Sequence, residues 1–496
     1  MRAIGVNNRV KNALVVHFGG IEMVQVKGKR RVDATEGPMF SKMFFFVVPL
    51  MLTNLLNHLY NMADNIVVGQ FSDDPTALAA VGVTGSLNSL FVNLAIGISV
   101  GSGVLVARNF GARDKDKLSR SVHTAMTLAV IVGIILGIAR FFLSEWALAL
   151  MGTKAELMPN AVLYCQILAI GMPGTIVFTF GSAVLRSVGD SKTSLYASMI
   201  TGILNVLLNL FFVIVCGMSV AGVALATIIA KYVSAAIVMW VLIKRRDEDY
   251  AFDFKKMCLD GKMVKDILYI GIPSSIQSAI YSFTNVFLTA AFNTFSIAAM
   301  SARTIANNID TLLGTAVNTY QHASVTFTSQ NYGAKKPDRM KKSVLIAVLQ
   351  AGGLGIILGQ LMLIFNEPII NMYLSSDDPS RVEVVTYAKE IMSIMLSCYF
   401  IGFISDTIAG FLRGLGASIN SMLVSVIGVC GIRIAWIFFV FPTYNTVTGL
   451  YMMYPVSWSA TALGLTIMAI VVFRKVKRKM LPEIQSENKD ATVKTV

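Results

Sequence analysis

The sequence predicts an all-α polytopic membrane protein with twelve transmembrane helices in two six-helix bundles. Three observations predict this class: the composition, the recurrence of long apolar stretches and an internal repeat. The 496-residue chain is 55% hydrophobic and 14% charged, whereas soluble domains contain roughly 45–50% apolar and about 25% charged residues. Because so few charged residues cannot cover a globular surface, the composition excludes an ordinary soluble protein.

Apolar stretches long enough to cross a hydrocarbon core of about 30 Å recur along most of the chain. We refer to the helices that they predict as the first to the twelfth span. The predicted spans lie at 41–67, 77–106, 118–143, 158–186, 193–216, 220–244, 265–292, 298–330, 341–365, 384–413, 417–441 and 448–473.

The loops between these spans carry their basic residues on one side of the membrane. Loops after even-numbered spans collect Lys and Arg, as at 108–120, 244–265 and RKVKRK at 474–479, whereas loops after odd-numbered spans hold few cations. Cytoplasmic loops are enriched in Lys and Arg. We therefore expect both termini in the cytoplasm and the chain in the inner (plasma) membrane, and we attribute the net charge of +14 to orientation and not to nucleic-acid binding.

An internal repeat relates the two halves of the chain. The matching positions are ARNFGARDKDKLSRSV at 107–122 with SQNYGAKKPDRMKKSV at 329–344, LRSVGDSKTS at 185–194 with LRGLGASINS at 412–421, and Pro49 with Pro273. Each half contains an even number of crossings, so the halves form a parallel repeat with a pseudo-two-fold axis along the membrane normal. Transporters built from such repeats bind their substrates at the repeat interface.

The repeat divides the chain into two bundles with three cytoplasmic segments around them. We expect the first segment to be a disordered basic extension. The divisions are the extension at 1–36, the first bundle at 37–246, a linker at 247–264, the second bundle at 265–478 and a tail at 479–496.

The polar motifs of common enzymes are missing from the sequence. The five cysteines show no CxxC spacing, the four histidines form no HExxH motif, and there is no Walker A loop. We therefore expect no enzymatic activity and no cofactor, and ATP hydrolysis would have to come from another protein. A membrane enzyme and a receptor are the alternatives from other classes. The duplicated plan without an extramembrane domain argues against a receptor.

The first span contains the polar run NLLNHLYNMADNIVVGQ at 54–70. Asn54, Asn57, Asn61 and Asp64 recur at helical spacing and form one stripe. An Asp at the bilayer centre costs roughly 2.5–3.5 kcal/mol on insertion scales, so such groups face a bundle interior or a wet cavity. The Asn side chains can instead join packed helices by hydrogen bonds, which leaves Asp64 as the main functional candidate of the stripe.

Five blocks of the sequence carry a family resemblance over about residues 37–478. They are PLMLTNLLNHLYNMADNIVVGQ, GISVGSGVLVARNFGARD, GMPGTIVFTFGSAVLRSVGDSKT, NVLLN followed by GVALAT, and FLRGLGAS. In order and spacing they resemble the multidrug and toxic compound extrusion (MATE) transporters, in particular the bacterial DNA-damage-inducible-type branch. The resemblance implies two six-helix bundles around a V-shaped cavity, and export of organic cations driven by an H⁺ or Na⁺ gradient.

The resemblance also implies a coupling site for H⁺ or Na⁺ in the first bundle. It joins Asp64 to Asn205 in the fifth span and to a partner one turn later, which is Asn209 here, so that Asp64 is the sole carboxylate of this pocket. Pro49 is the candidate hinge, since proline lacks an amide donor and can kink a helix. The candidates for lining the cavity are Asn57, Tyr60, Asn61, Lys231, Asp310, Asp406 and Arg433.

We infer from these residues that a proton and a cationic substrate compete for Asp64. Burial favours the neutral form of a carboxyl, and a nearby cation favours the charged form. Proton binding from outside would then release a cationic substrate, and loss of that proton inside would restore its site. We expect no metal site, except that Na⁺ is a candidate coupling ion near Asp64 or Asp406. Asp406 lies seven residues before Arg413 and can equally form a structural ion pair with it.

Three cations within the spans leave the substrate class open. Lys231, Arg303 and Arg433 can each neutralise a carboxylate on another helix, or they can line the cavity and admit zwitterionic or anionic substrates. If all three clustered in one pocket, they would favour an alternative function, a flippase for a lipid-linked precursor. We expect small-molecule substrates, H⁺ or Na⁺ and the lipid bilayer as partners, no nucleic acid, and a monomer.

Overall fold

The computed structural model describes residues 13–18, 21–26, 31–72, 74–246, 248–374 and 379–493. Within these residues the chain is almost wholly helical. Ala13–Phe18 and Ile21–Val26 pair as one antiparallel two-stranded sheet. Short helical turns occur at Phe254–Lys256 in the linker and at Asn366–Asn371 after the ninth span.

All twelve predicted spans are present as helices. In the first half they are Met39–Phe71, Ala77–Gly111, Lys115–Leu150, the pair Met158–Ile170 and Met172–Ser187, Lys192–Leu210 extended by a π-helix at Phe211–Val215, and Val220–Lys244. In the second half they begin with Gly261–Phe292, Ile297–Gly333, Pro337–Ile364 and the pair Arg381–Ser397 and Tyr399–Gly414.

The last two spans are the least regular. The eleventh alternates α-helical and π-helical turns, whereas the twelfth has a short first helix followed by a long one. The eleventh consists of Ser418–Ser425, Val426–Gly431, Ile432–Ala435, Trp436–Val440 and Phe441–Tyr444, and the twelfth of Val447–Tyr451 and Met453–Val493.

Length and composition make these helices compatible with a membrane. Among the described residues, eight helices are long and apolar enough to cross one, and two bent pairs qualify when each pair is taken as one span. The seventh and eighth spans are equally long, but they carry more polar residues and complete the set of twelve. The predicted fold class is therefore confirmed.

The fourth and tenth spans are broken at corresponding places of the repeat. The helix axis bends by 50° at Gly171 and by 44° at Cys398. Pro173 lies in the first turn after the break in the fourth span, where the missing amide and the proline ring disfavour a continuous helix. The tenth span bends without a proline at the break, so proline does not explain both bends.

The two halves contact each other along the second and seventh spans. A Cβ atom added at Gly101 would lie 2.0 Å from the Ile267 carbonyl oxygen, and one added at Gly97 would lie 2.2 Å from Ser275 Oγ. Small residues let helix backbones approach this closely. The glycines of the second span therefore permit the main contact between the halves.

The basic ends of the halves, which the sequence predicts to be cytoplasmic, also pack together. Arg108 Nη2 donates to the Gly414 carbonyl oxygen at 3.1 Å, and Gln330 Nε2 donates to the Ser187 carbonyl oxygen at 2.7 Å. A Cβ atom at Gly111 would lie 1.9 Å from the Gln330 carbonyl oxygen. The space between the halves is thus closed at its basic ends.

Residues 31–38, which we call the N-terminal strap, cross this closed end and bind both halves. Val32 N donates to the Gly189 carbonyl oxygen at 2.9 Å, and Ala34 N donates to Gln330 Oε1 at 2.8 Å. Asp33 forms an ion pair with Arg113 at 2.6 Å. Ala34 is only 1% exposed.

The expectation of a disordered extension is wrong for the strap, because both halves satisfy its backbone hydrogen bonds. Ala13–Phe18 and Ile21–Val26 also form paired strands where disorder was expected. The rest of the predicted extension lies outside the described residues. At the other end, the twelfth span continues as a helix to Val493, through part of the predicted tail.

Candidate functional site

Three connected spaces lie inside the helical bundle. A cavity of about 320 Å³ lies within the first half, and one of about 240 Å³ lies within the second half. A central cavity of about 550 Å³ lies between them and shares Asn57 and Asn61 with the first and Asp406 with the second. Each half therefore has its own polar chamber beside a common space.

The first span places Asp64 in the first-half cavity. Residues near its basic end, such as Met43 and Phe46, pack in a core shared with the second half. Farther along, the same helix turns Asp64 toward the fifth span, where Asn209 Nδ2 donates to Asp64 Oδ1. The polar stripe predicted from helical spacing thus faces a cavity.

Asp64 lies among side-chain oxygen and amide groups and is only 7% exposed. Thr227 Oγ1 donates to Asp64 Oδ2 at 3.4 Å, and Asn205 Nδ2 lies 3.5 Å from the same Thr227 oxygen. The structure therefore brings together all three residues of the expected coupling site and adds Thr227 of the sixth span. Sequence reasoning missed Thr227, because a lone threonine in an apolar span carries no distinguishing signal.

The amide oxygens at this site suit a small hard cation. Asn205 Oδ1 and Asn209 Oδ1 are buried and have no hydrogen-bond partner among the described residues. Carboxylate and carbonyl oxygens are the ligands that hard cations prefer, so these residues fit Na⁺ as well as a proton on Asp64. Elsewhere in the described chain no cluster of three or more His, Cys, Asp or Glu residues forms a metal site.

Three cations line the same first-half cavity: Arg140, Arg186 and Lys231. Lys231 is close enough to Asp64 for electrostatic attraction, but no ion pair within 4.0 Å joins them in the described part of the chain. Arg140 is 1% exposed and donates through Nη1 to Asn88 Oδ1 at 2.9 Å. Sequence reasoning missed Arg140, although a charged residue inside the predicted third span was a signal.

Three of the residues predicted to line the cavity lie near Asp64: Asn57, Asn61 and Tyr60. Asn57 and Asn61 line the first-half and central cavities. Tyr60 lines a recess of about 60 Å³ that also contains Asp64 and Lys231. Its ring packs on Gly202, where an added Cβ atom would lie 1.7 Å from the ring.

The second-half cavity contains the two predicted acids and one cation. Tyr399 donates its hydroxyl to Asp310 Oδ1 at 2.7 Å, and Asp406 faces both this cavity and the central one. The guanidinium carbon of Arg433 lies 4.1 Å from the ring centroid of Tyr454. The other aromatic side chains lining the cavity are Tyr281, Phe403 and Trp458.

An ion pair and a cluster of cations, both considered in the sequence analysis, do not form within the described residues. Arg413 Nη2 donates to Gln277 Oε1 at 2.9 Å, and it has no ion pair with Asp406 within 4.0 Å. Arg303 donates to Thr289 Oγ1 at 2.9 Å and lies over the Phe292 ring, outside the cavities that hold Lys231 and Arg433. The cluster of cations on which the flippase alternative depends is therefore absent.

Pro49 lies inside the first span without interrupting it. Met39–Phe71 is one continuous helix, and the Pro49 carbonyl oxygen accepts a hydrogen bond from Thr53 Oγ1 at 2.8 Å. A hinge at Pro49 stays a prediction.

Comparison with known proteins relates this architecture to one family. The family model described as MatE matches residues 49–211 and 273–439, one stretch in each half of the repeat. "Probable multidrug resistance protein YoeA" of Bacillus subtilis is 24% identical over 436 residues, covering 86% of this chain and 92% of that protein.

Two solved structures share the fold at low sequence identity. A crystal structure of MATE in complex with MaL6 has a TM-score of 0.83 at 21% identity, covering 91% of this chain and 100% of that one. A MOP superfamily transporter from Pyrococcus furiosus, described as having a binding pocket of reverse polarity, has a TM-score of 0.80 at 22% identity, covering 92% and 98%. The matched model spans well over half of the chain, so this multi-pass membrane protein belongs to the MatE family of multidrug and toxic compound extrusion transporters and is not an enzyme.

Proposed function

We propose that the protein is a secondary active antiporter that exports small organic amphiphiles in exchange for H⁺ or Na⁺ by alternating access. One observation carries this proposal: Asp64 is buried in a cavity that adjoins the central space, with Asn209 and Thr227 donating to its carboxylate. A proton, Na⁺ or an ammonium group of the cargo can each neutralise this carboxylate. Because the ion and the cargo cannot bind Asp64 at the same time, binding of the ion releases the cargo. The ion gradient then drives export.

The driving force available to such an exchange is substantial. A membrane potential of 100 mV is worth about 2.3 kcal/mol per charge, which corresponds to nearly a fiftyfold concentration ratio at about 1.4 kcal/mol per decade. The potential drives the exchange only when net charge moves, as it does when one ion is exchanged for a neutral or zwitterionic cargo molecule. A one-for-one exchange with a monovalent cation is electroneutral and is driven by the concentration gradient of the ion alone.

The second-half cavity supports cationic cargo. Asp310 and Asp406 give it two carboxylates against the single cation Arg433, and aromatic rings form much of its wall. Aromatic faces attract organic cations. We assign the cationic part of the substrate range to this cavity.

The closed basic ends support alternating access. The contacts of Arg108 with Gly414 and of Gln330 with Ser187 must break for the central cavity to open toward that side. We propose that cargo and ion enter and leave as these contacts form and separate in turn.

Whole-cell efflux of a fluorescent cation tests this function. Cells expressing the protein should accumulate less of the cation than cells carrying the empty vector. A protonophore should abolish the difference if H⁺ drives export, and removal of sodium should abolish it if Na⁺ does. Accumulation that responds to neither treatment contradicts gradient-driven export.

The finer assignments from the sequence are part of the same proposal. We propose a monomer with both termini in the cytoplasm, within the DNA-damage-inducible-type branch. A fluorescent-protein fusion at the C-terminus, which fluoresces in the cytoplasm, tests the orientation, and the mass of the protein in nanodiscs tests the monomer.

A further inference from the structure

We propose that the first-half cavity binds an anionic group, so that the cargo includes amphiphiles that carry a carboxylate, sulfonate or phosphate. This inference rests on the proposed function in that it takes this cavity to be a cargo site. It departs from an exporter of simple organic cations, for which an anionic chamber would be expected.

The charges that line the two half-cavities have opposite signs. Arg140, Arg186 and Lys231 line the first-half cavity, and Asp64 is the one carboxylate among its lining residues. The second-half cavity holds Asp310 and Asp406 against Arg433. His322 also lines the first chamber and is counted as neutral. With three cations and one carboxylate, the first chamber then carries a formal charge of +2, and with one cation and two carboxylates the second carries −1.

The donors of Arg140 are arranged to hold an oxyanion. Its Nη1 donates to Asn88, whereas its buried Nε and Nη2 have no oxygen or nitrogen partner among the described residues, and the Cys165 thiol is a weak polar neighbour of the guanidinium. Nε–H and the neighbouring Nη2–H point along one edge of the guanidinium plane, the geometry that binds carboxylate, sulfonate or phosphate oxygens in pairs. A buried cation is costly unless it is paired, and an anionic cargo group would provide that pairing.

The other two cations also lack a direct partner. The side chains of Arg186 and Lys231 form no hydrogen bond, and no ion pair within 4.0 Å, with the residues that the structure describes, and Asp64 attracts Lys231 only from a greater distance. Structural lysines and arginines inside a membrane normally pair with a carboxylate or with backbone carbonyls. Their position on the cavity wall therefore indicates a role toward what enters the cavity.

Apolar side chains on the same wall make the cargo an amphiphile. Val92, Ile96, Leu168, Met172 and Phe178 line the cavity together with these charges. Binding sites for small molecules typically combine such apolar surface with a few fixed polar groups. Exchange at Asp64 is compatible with a zwitterion, whose ammonium group faces Asp64 while its acidic group is bound by the arginines and Lys231.

A pair of matched probes tests the sign of the charge. One is a dansyl-labelled alkyl sulfonate, and the other is a dansyl-labelled alkyltrimethylammonium of the same chain length. Their affinities are measured by fluorescence titration of the purified full chain in nanodiscs of phosphatidylcholine, a lipid without net charge, and without an ion gradient. We expect Arg140→Gln and Lys231→Gln each to weaken sulfonate binding about tenfold or more, since each removes a charge-assisted contact.

Two further variants serve as controls, and we expect unchanged sulfonate binding in one and stronger binding in the other. Arg303→Gln, which removes a buried cation outside both chambers, should leave sulfonate affinity within about twofold, because additivity holds for distant sites. Asp64→Asn should strengthen sulfonate binding, because it removes the one carboxylate of the first chamber. Size-exclusion profiles and unfolding temperatures verify that each variant is folded, and Arg186→Gln replaces any variant that is not.

The proposal is overturned if sulfonate affinity is unchanged in Arg140→Gln, Lys231→Gln and Arg186→Gln, or if it falls equally in Arg303→Gln. These titrations use no gradient, so they stand apart from the efflux assay. Loss of gradient-driven efflux with intact sulfonate binding would reject the antiporter alone, and the reverse result would reject the anionic cargo alone.

Discussion

At the residue scale, Asp64 receives hydrogen bonds from two helices of its own half, through Asn209 in the fifth span and Thr227 in the sixth. These contacts fix the carboxylate beside the cavity without neutralising its charge. We therefore expect Asp64→Asn to abolish gradient-driven efflux while the protein stays folded, because an amide cannot take up a proton or bind Na⁺ as a carboxylate does. Efflux measurements together with the unfolding temperature check this. Active export by the variant would remove Asp64 from the mechanism.

Tyr60 gives a second prediction at this scale. Replacing Gly202 by Ala would place a Cβ atom 1.7 Å from the Tyr60 ring, so the ring must leave the recess beside Asp64. Such overpacking costs typically about 1–3 kcal/mol. We expect Gly202→Ala to lower both the unfolding temperature and the efflux rate. Gly353→Ala is the matched control, because a Cβ atom at Gly353 has no neighbour within 4 Å. Equal effects of the two substitutions would contradict this packing argument.

The proximity of Asp64, Asn205 and Asn209 could be predicted because helical spacing and the family resemblance pointed to the same residues. The surroundings of the cations could not. Lys231, Arg303 and Arg433 are equivalent as residues inside spans, and only the packing of helices distant in sequence assigns them to different environments. Arg186 illustrates the same point: its position near a helix end does not reveal that the fold places it on the cavity wall.

At the element scale, the N-terminal strap connects the two halves at their basic ends. Asp33 is one of its charged groups and pairs with Arg113. Burial acts to raise the pKa of Asp33, but hydrogen bonds from Thr35 and the charge of Arg113 outweigh it and lower the pKa from its ordinary value of 3.8. A lowered folded-state pKa gives stability that is present above the ordinary value and is lost only as the pH falls toward the folded value. The strap should therefore stay bound throughout the neutral range.

Removing the charge of Asp33 should loosen the strap. We expect Asp33→Ala to increase hydrogen–deuterium exchange of the helix ends around Gly111 and Gln330, because the strap then protects these ends for less of the time. The control is Lys117→Ala, which removes an exposed ion pair with Asp114 on the same basic face; such surface pairs are worth about 0–1 kcal/mol. If exchange at these helix ends is the same in both variants, the strap does not hold the closed state.

Elements differ in how far the sequence determines them. Most spans could be predicted because each needs only a long apolar stretch. The bend at Gly171 has a local cause in Pro173, but the corresponding bend at Cys398 has none in the sequence and depends on packing. The strap could not be predicted either, because its hydrogen-bond partners Gly189 and Gln330 are remote in the sequence.

At the scale of the whole molecule, the second and seventh spans form the main contact between the halves. A Cβ atom at Gly101 would lie 2.0 Å from the Ile267 carbonyl oxygen, and a backbone atom cannot yield without moving the helix. We expect Gly101→Ala to separate the basic ends and to reduce efflux. Gly85→Ala in the same helix is the control, since a Cβ atom there meets nothing within 4 Å. Alkylation of a single cysteine introduced at Ser274, with the native cysteines replaced, measures the opening. Unchanged labelling in Gly101→Ala would refute the expected separation of the basic ends.

The duplicated plan of the molecule was accessible from the sequence because both halves kept recognisable turns, and the family model matches each half separately. The opposite charge of the two half-cavities was not accessible, because the positions of Arg140 and Asp310 in the repeat do not reveal which way their side chains face. Symmetry of the helices therefore does not extend to the chemistry of the chambers that they enclose.

The strap has a consequence for inhibition. Its backbone binds Gly189 on one half and Gln330 on the other, on the side that the sequence assigns to the cytoplasm. A small molecule that strengthened these contacts would hold the basic ends together without binding in the cargo chamber. A higher cargo concentration would not relieve such a block, so the inhibition would be non-competitive.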